Sequence, residues 1–467
     1  MNRFVLLTLA VTFLSFYAFR DWYRSLCGVI VMMAFVERSD MPRQMFGVTG
    51  MNAWNLLIAV TLIGWFFSRH KEKLVWDMPK HINILLFLYI LVITIGFTRM
   101  IGNMDSVAEL YATNNSAVVT FKTLFLNEYL NTIKYVIPGL LLFHGCNSRS
   151  RLMWGIGACL LATLFLGLQI ISRMPLEGLS DGAALSDRAL RVLNRSIGYH
   201  RVDLAVMMAS GSWAFFAARE LASKQIWRWA LLSAGLLLIL SLALTGGRTG
   251  YVTWVALAML LSFLKWKKLL LVLPILIATI LLIVPAARER MLQGIVKSDE
   301  FVSYEQAGLD LEMITSDRIL IWPVAVNKIG EAPFLGYGRK GFVISGALRE
   351  VKELHGNRGR VAHPHNAYLE LLIDNGLIGS VPILIFFFIV VRRSWRLLRN
   401  KESPNHFVIG GIAMAFVAGQ LIASMGAQSF YPGSGVVLMW CTIGLMLRVS
   451  VNWDLARNPG RPISAPC

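Results

Sequence analysis

The chain has 467 residues, 56% of them hydrophobic and only 15% charged, and carries a formal net charge of +18. Its apolar residues fall in blocks of about 16 to 22 rather than in amphipathic stripes, which excludes an ordinary soluble enzyme and predicts an all-α polytopic membrane protein. A length that would suggest about three soluble domains is therefore read as one helical bundle.

In chain order, hydrophobic blocks lie near residues 4–19, 25–36, 52–67, 82–98, 129–146, 152–171, 202–217, 229–245, 249–264, 269–285, 367–391, 406–425 and 433–448. They predict about 12 to 13 transmembrane helices, the second block being short. The first block ends at Arg20 and Asp21 without a small-residue cleavage site, so it is expected to be a retained span. Cys27, Cys146, Cys159, Cys441 and Cys467 lie in or beside apolar blocks without metal-binding or paired spacing. No metal, cofactor or disulfide framework is expected from them.

The basic residues sit mainly in alternate short connectors: Arg20 and Arg24; Arg69, Lys71, Lys73 and Lys80; Arg149 and Arg151; Arg219, Lys224 and Arg228; Lys265, Lys267 and Lys268; and Arg392, Arg393, Arg396, Arg399 and Lys401. Positive connectors resist translocation, so these are expected to face the cytoplasm. The positive charge is then a topological signal, and no nucleic-acid partner is expected. The expected organisation is an N-terminal bundle over 1–285, a large outward loop with short helices over 286–366, C-terminal membrane helices over 367–450 and a cytoplasmic tail over 451–467. The large loop joins the fourth-last and third-last spans, and its 11 Lys and Arg nearly cancel 10 Asp and Glu. A second outward loop, 172–201, is rich in arginine: Arg173, Arg188, Arg191, Arg195 and Arg201. It either contacts an anion or meets lipid headgroups.

Three outward positions stand out. Arg248 lies where two apolar blocks meet, flanked by Gly246, Gly247, Thr249 and Gly250; it either snorkels or meets an anion, and the glycines would let a phosphate approach backbone N–H groups. Arg318 and Trp322 have i, i+4 spacing on a helix that Ser316 or Asp317 can cap and that Pro323 shortens or kinks. The guanidinium can grip a phosphate, and the indole offers a flat face for a sugar or lipid. Downstream, Gly336, Gly338 and Gly341 form a GxGxxG that lacks βαβ context and is read as a turn returning the chain to the membrane. His365, with His363, Asn366 and Tyr368, opens the block that runs to Val391. At the positive end of a helix an imidazole is held neutral, and it is either a base for a substrate hydroxyl or an interfacial polar residue. The Asp374-Asn375-Gly376 stretch is expected to break or kink that helix.

The pattern RxxIWxxAxxxIxxxPxxGxG from Arg318 to Gly338, followed by HNAYLELLIDNGLIG from His365, resembles the O-antigen ligase and polymerase superfamily of bacterial envelope proteins. The upstream TGGRTGYVTWVALAML is similar to that family's helix junction, with Gly247 where the family commonly has serine. The N-terminal layout is similar to the exosortase-associated O-glycosylation ligases. The resemblance implies an inverting, metal-independent glycosyltransferase of the bacterial inner membrane with its large loop in the periplasm. Its implied donor is a glycan on undecaprenyl diphosphate, and its acceptor a hydroxyl of lipid A core, another glycan or a protein. The implied functional residues are Arg248, Arg318 and His365, with Trp322, His363, Asn366, Tyr368, Arg195 and Arg201 as substrate-binding candidates. A polysaccharide polymerase of the same superfamily is the alternative, and a transporter or flippase of lipid-linked glycans a second. Few ionisable residues, chiefly Lys134 and Asp203, interrupt the apolar blocks, which argues against transport.

Overall fold

The computed structural model describes residues 3–38, 40–42, 44–45, 47–113, 120–174, 182–292, 318–355, 363–400, 403–426 and 430–457. Nearly all of it is helical. In order the helices are α1 (Arg3–Arg20), α2 (Trp22–Val36), α3 (Ala53–Lys71), α4 (Lys80–Ile101), α5 (Met104–Thr113), α6 (Phe121–Leu124), α7 (Asn131–Lys134), α8 (Ile137–Gly145), α9 (Arg149–Arg173), α10 (Gly182–Ser196), α11 (Arg201–Ala218), α12 (Gln225–Leu244), α13 (Arg248–Leu264), α14 (Leu269–Ile283) and α15 (Pro285–Leu292). They continue with α16 (Arg318–Glu331), α17 (Gly341–Ile344), α18 (Ala347–His355), α19 (Ala367–Leu398), α20 (Pro404–Ala423) and α21 (Val437–Arg457). A two-residue antiparallel pair, β1 (Gln44–Met45) with β2 (Val48–Thr49), ties the α2–α3 connection.

Among the described residues, six helices are long and apolar enough to cross a membrane: Lys80–Ile101, Arg149–Arg173, Gln225–Leu244, Ala367–Leu398, Pro404–Ala423 and Ser434–Arg457. Apolar helices of 10–17 residues add Phe4–Arg20, Trp22–Val36, Arg248–Leu264 and Leu269–Leu282. Of an 18-residue apolar window in each, 89% is buried in Ser434–Arg457 and only 28% in Gln225–Leu244, so the former is central and the latter peripheral. Around the periphery, Phe13, Phe16, Phe67, Phe87, Phe263, Leu271 and Phe388 point away from the protein, as a lipid-facing surface requires. Inside, small residues replace bulk: a methyl on Gly444 of α21 would overlap the backbone of Gly139 in α8, so these two helices cross backbone to backbone.

Two expected elements differ. The block 129–146 is not one helix: a π-helical turn, Phe125–Leu130, runs into α7, the chain bends at Tyr135 and Val136, and α8 restarts with Pro138 in its first turn, where a missing N–H costs nothing. The arginine-rich loop 172–201 contains a 15-residue amphipathic helix, α10, with Leu185, Ala189 and Leu193 buried and Arg188, Arg191 and Arg195 exposed. Its period of 3.6 was hidden by polar composition. The Ser316 and Asp317 capping expectation lies outside the described residues.

The large connection supplies α15 to α18. Helix α16 runs on through Pro323, so it is short without ending there. Helix α19 is interrupted at Gly376, whose φ of 58° and ψ of −167° belong to a region essentially restricted to glycine. A methyl there would overlap the backbone of Phe334 and Leu335. The kink exposes backbone groups that the glycine turn covers: Tyr337 N donates to Ile373 O (2.8 Å), Gly338 N to Asp374 O (2.7 Å), and Leu377 N to Pro333 O (2.8 Å). Arg99 of α4 clamps the same turn through the carbonyls of Leu335 and Gly336 (2.5 and 2.6 Å). The GxGxxG stretch is thus a plug fitted to the break in α19.

Candidate active site

Four chain segments meet where helices begin. Helix α11 opens with His200 as its cap and Arg201 as its first residue, α13 opens at Arg248, the described part of α16 at Arg318, and α19 follows His365 with Asn366 as its cap. Helix N-termini carry partial positive charge and point N–H groups outward, so their convergence with three arginines favours an anion.

The contacts that assemble the cluster are specific. Arg201 donates to Ser186 Oγ (2.5 Å) and to Gly246 O (3.3 Å), docking the start of α11 on the turn that precedes Arg248. Gly246 makes that turn with φ of 61°. Arg318 spans two segments: its Nε donates to His365 O (3.4 Å) and its Nη2 to Gly426 O (3.3 Å). Thr249, next to Arg248, stands with Arg318 against the same face of Gly426. Trp322, one turn after Arg318, donates from Nε1 to Pro364 O (3.0 Å), so the i, i+4 pair grips consecutive carbonyls of the histidine segment. Ala367 N completes the anchor on Ser424 O (2.7 Å).

Within that segment His365 adopts φ of 50°, a left-handed conformation uncommon for a residue with a side chain. Its N–H donates to His363 Nδ1 (3.3 Å), and the two rings meet edge to face with centroids 4.3 Å apart. Burial, then His363, Arg318 and His200, push the His365 pKa down to about 3. Burial, Lys340, Arg339 and His200 lower His363 to about 4. Both imidazoles are therefore neutral near pH 7. Burial also lowers the pKa of Arg318 from its ordinary value, yet a guanidinium remains charged at neutral pH.

The other expected residues have structural work. Asn366 Oδ1 accepts from the N–H groups of Tyr368 (3.0 Å) and Leu369 (3.3 Å), capping α19. Tyr368 donates its hydroxyl to Leu421 O (2.9 Å) and packs on Phe430. Arg195 stands on the exposed face of α10 with Arg188 and Arg191, whereas Arg201 belongs to the cluster.

Sequence reasoning passed over His200, the Ser424–Gly426 turn and a charge cage behind His363. In that cage Arg339, buried, contacts Glu370 (2.9 Å), Glu128 (3.2 Å) and Asp374 (3.5 Å) and stacks on Tyr431 at 3.7 Å. Burial opposes its charge, but Glu128, Glu370 and the other partners more than offset it, and its pKa ends raised. Lys340 pairs with Glu128 (3.1 Å), and Asp374 accepts from Gly341 N (2.8 Å). The cage fastens the glycine plug to α19 just below His365. The only local signal for it was the carboxylates at the start of an apolar block.

Among the described residues no group of three or more His, Cys, Asp and Glu is arranged to hold a metal ion. Residues 232–384 match the family model described as O-Antigen ligase, an interval that contains Arg248, Arg318 and His365. A Rickettsia conorii protein named as a candidate polysaccharide ligase, RC0486, is 33% identical over 91 residues, 19% of this chain and 21% of that protein. The chain thus spans about a fifth of the length of that curated relative. The stretch from α12 to the kinked α19 is thus similar to the O-antigen ligase family over residues 232–384.

Proposed function

We propose that the chain is a glycosyltransferase that moves a glycan from undecaprenyl diphosphate to an acceptor hydroxyl, on lipid A core, another glycan or a protein, at the periplasmic face of the inner membrane. The observation that carries this reading is the convergence of Arg318, the Arg248–Thr249 helix start and a neutral His365 on the Gly426 turn. Outside the inner membrane the driving force has to arrive with the donor, and a lipid diphosphate is a good leaving group. Negative charge builds on it as the anomeric bond breaks, and Arg248, Arg318 and the N-terminus of α13 are suited to stabilise that charge.

His365 Nδ1 or Nε2 would take the proton of the acceptor hydroxyl as its oxygen attacks the anomeric carbon from the face opposite the diphosphate, inverting that centre. Trp322 holds the histidine segment in place through Pro364. The low pKa keeps His365 unprotonated but weakly basic until the diphosphate binds, when a nearby anion would make the imidazole more basic.

The test is reconstitution of the purified chain in proteoliposomes with undecaprenyl-diphosphate-linked glycan and lipid A core. One capped product, formed at the same rate with added chelator, is the expected result. A ladder of lengthening lipid-linked glycan would instead mean a polymerase, and no glycosidic product with any acceptor class would reject the transferase reading.

A further inference from the structure

A polar cavity of about 560 Å³ lies between the C-terminal end of α2, the β1–β2 pair, the start of α3, the π turn with α7, and Gly198. That volume is within the roughly 300–1,000 Å³ of sites that take small molecules. Two connections join it to the arginine and histidine cluster. On one wall, Gly198 is two residues from His200, roughly 7 Å of chain, and His200 acts on both His363 and His365. On the other, the π turn presents Asn127 to the cavity while Glu128 holds Lys340 and Arg339. A π turn carries an extra residue, which rotates neighbouring side chains out of the α-helical register, and such turns gather at functional sites.

The lining has a definite chemistry. Asn127, Asn131 and Gln44 present carboxamides that both donate and accept, as sugar hydroxyls do, and Leu126 and Tyr135 supply apolar faces for ring C–H groups. Its charges are largely compensated: Arg38 pairs with Asp40 (3.0 Å), and Glu37 interacts with Lys134, whose Nζ donates to Asn55 Oδ1 (3.0 Å). Among the described lining residues Lys122 is the further cation. The arginine cluster suits a diphosphate, and this cavity suits uncharged, hydroxyl-rich matter.

We propose that the cavity between α2 and the π turn is a glycan-binding subsite that seats neutral sugar units next to the bond being made. The proposal rests on the transferase reading and adds where its sugar is held. Acceptor and donor glycan share this chemistry, and separate titrations distinguish them. The purified full chain in nanodiscs would be titrated with soluble core oligosaccharide and with soluble O-polysaccharide, each released from lipopolysaccharide by mild acid, with binding read by saturation-transfer NMR.

One of the two should bind wild type and His365→Ala alike; core oligosaccharide would identify the acceptor, and O-polysaccharide the donor. Asn131→Trp, which fills the cavity, and the milder Asn127→Ala should each weaken that binding at least tenfold and raise the corresponding KM with little change in kcat. Wild type that binds neither glycan would overturn the proposal. So would wild-type affinity in a folded Asn127→Ala chain. Sugar binding without transfer by wild type would remove the transferase reading and leave the subsite standing. Normal transfer with unchanged KM in Asn127→Ala would do the reverse.

Discussion

Replacing Arg339 with methionine would keep an unbranched apolar stem and remove the charge at the centre of the cage. Arg339 is 8% exposed, Glu370 5% and Asp374 1%, so none of these groups can turn to water for solvation. The substitution removes contacts at 2.9, 3.2 and 3.5 Å and the stacking on Tyr431. Breaking a buried ion pair from one side costs about 3–5 kcal/mol, because the partner charge stays buried. Glu128 keeps Lys340 as a partner, so the cost falls on Glu370 and Asp374. Adding Glu370→Gln and Asp374→Asn to Arg339→Met should therefore recover most of the loss, a sign opposite to simple accumulation of damage. Arg339→Lys should fall between, holding charge without the fork. Intrinsic fluorescence melts in nanodiscs, with gel filtration of detergent extracts, would measure this. An Arg339→Met chain that melts with wild type, or a triple variant less stable than the single one, would refute the cage as the fastener of the glycine plug.

The plug itself predicts that Gly376→Ala destabilises by several kcal/mol, since the backbone region is glycine-only and the methyl would overlap Phe334; the same melts check it. The two histidines predict a pH dependence of stability. Their native pKa values, about 4 for His363 and about 3 for His365, lie below the unfolded value of about 6.5, so the unfolded chain binds more protons at acid pH. Stability from this source is complete above pH ~6.5 and falls as pH drops toward 4, by at most on the order of 1.4 kcal/mol per pH unit for each histidine. Solvent access reduces that figure, and melts from pH 7 to 5 should flatten in a His363→Ala, His365→Ala double variant. Arg318→Lys should lower transfer at least tenfold while folding normally, because an ammonium cannot reach His365 O and Gly426 O together and still face a phosphate; proteoliposome rates decide it.

Apolar block length made the helical membrane class legible, and the break at Asp374-Asn375-Gly376 announced itself as polar residues and a glycine inside an apolar run. Arg318 and Trp322 were legible as a pair because i, i+4 spacing is local, and both do reach the histidine segment. What stayed hidden was distant in sequence. Nothing near Glu128 indicates that it meets Arg339 and Lys340, and nothing near His200 that it stands by His363 and His365. The π turn was invisible because its residues, Phe125 to Leu130, read as an ordinary helical stretch. Helix α10 was misjudged as loop because arginines outnumber its buried leucines, although those leucines have helical spacing. Asn366 and Tyr368 were expected beside His365 from the sequence, and the fastening of the following helix by their polar atoms was not legible there.

The most direct test of the account is glycan transfer by His365→Ala in proteoliposomes supplied with undecaprenyl-diphosphate-linked glycan and acceptor. A folded His365→Ala chain should lose about 10²–10⁴ of the wild-type rate, the usual contribution of a positioned base, while still binding the lipid-linked donor. Wild-type transfer by that variant would contradict the assignment of the site.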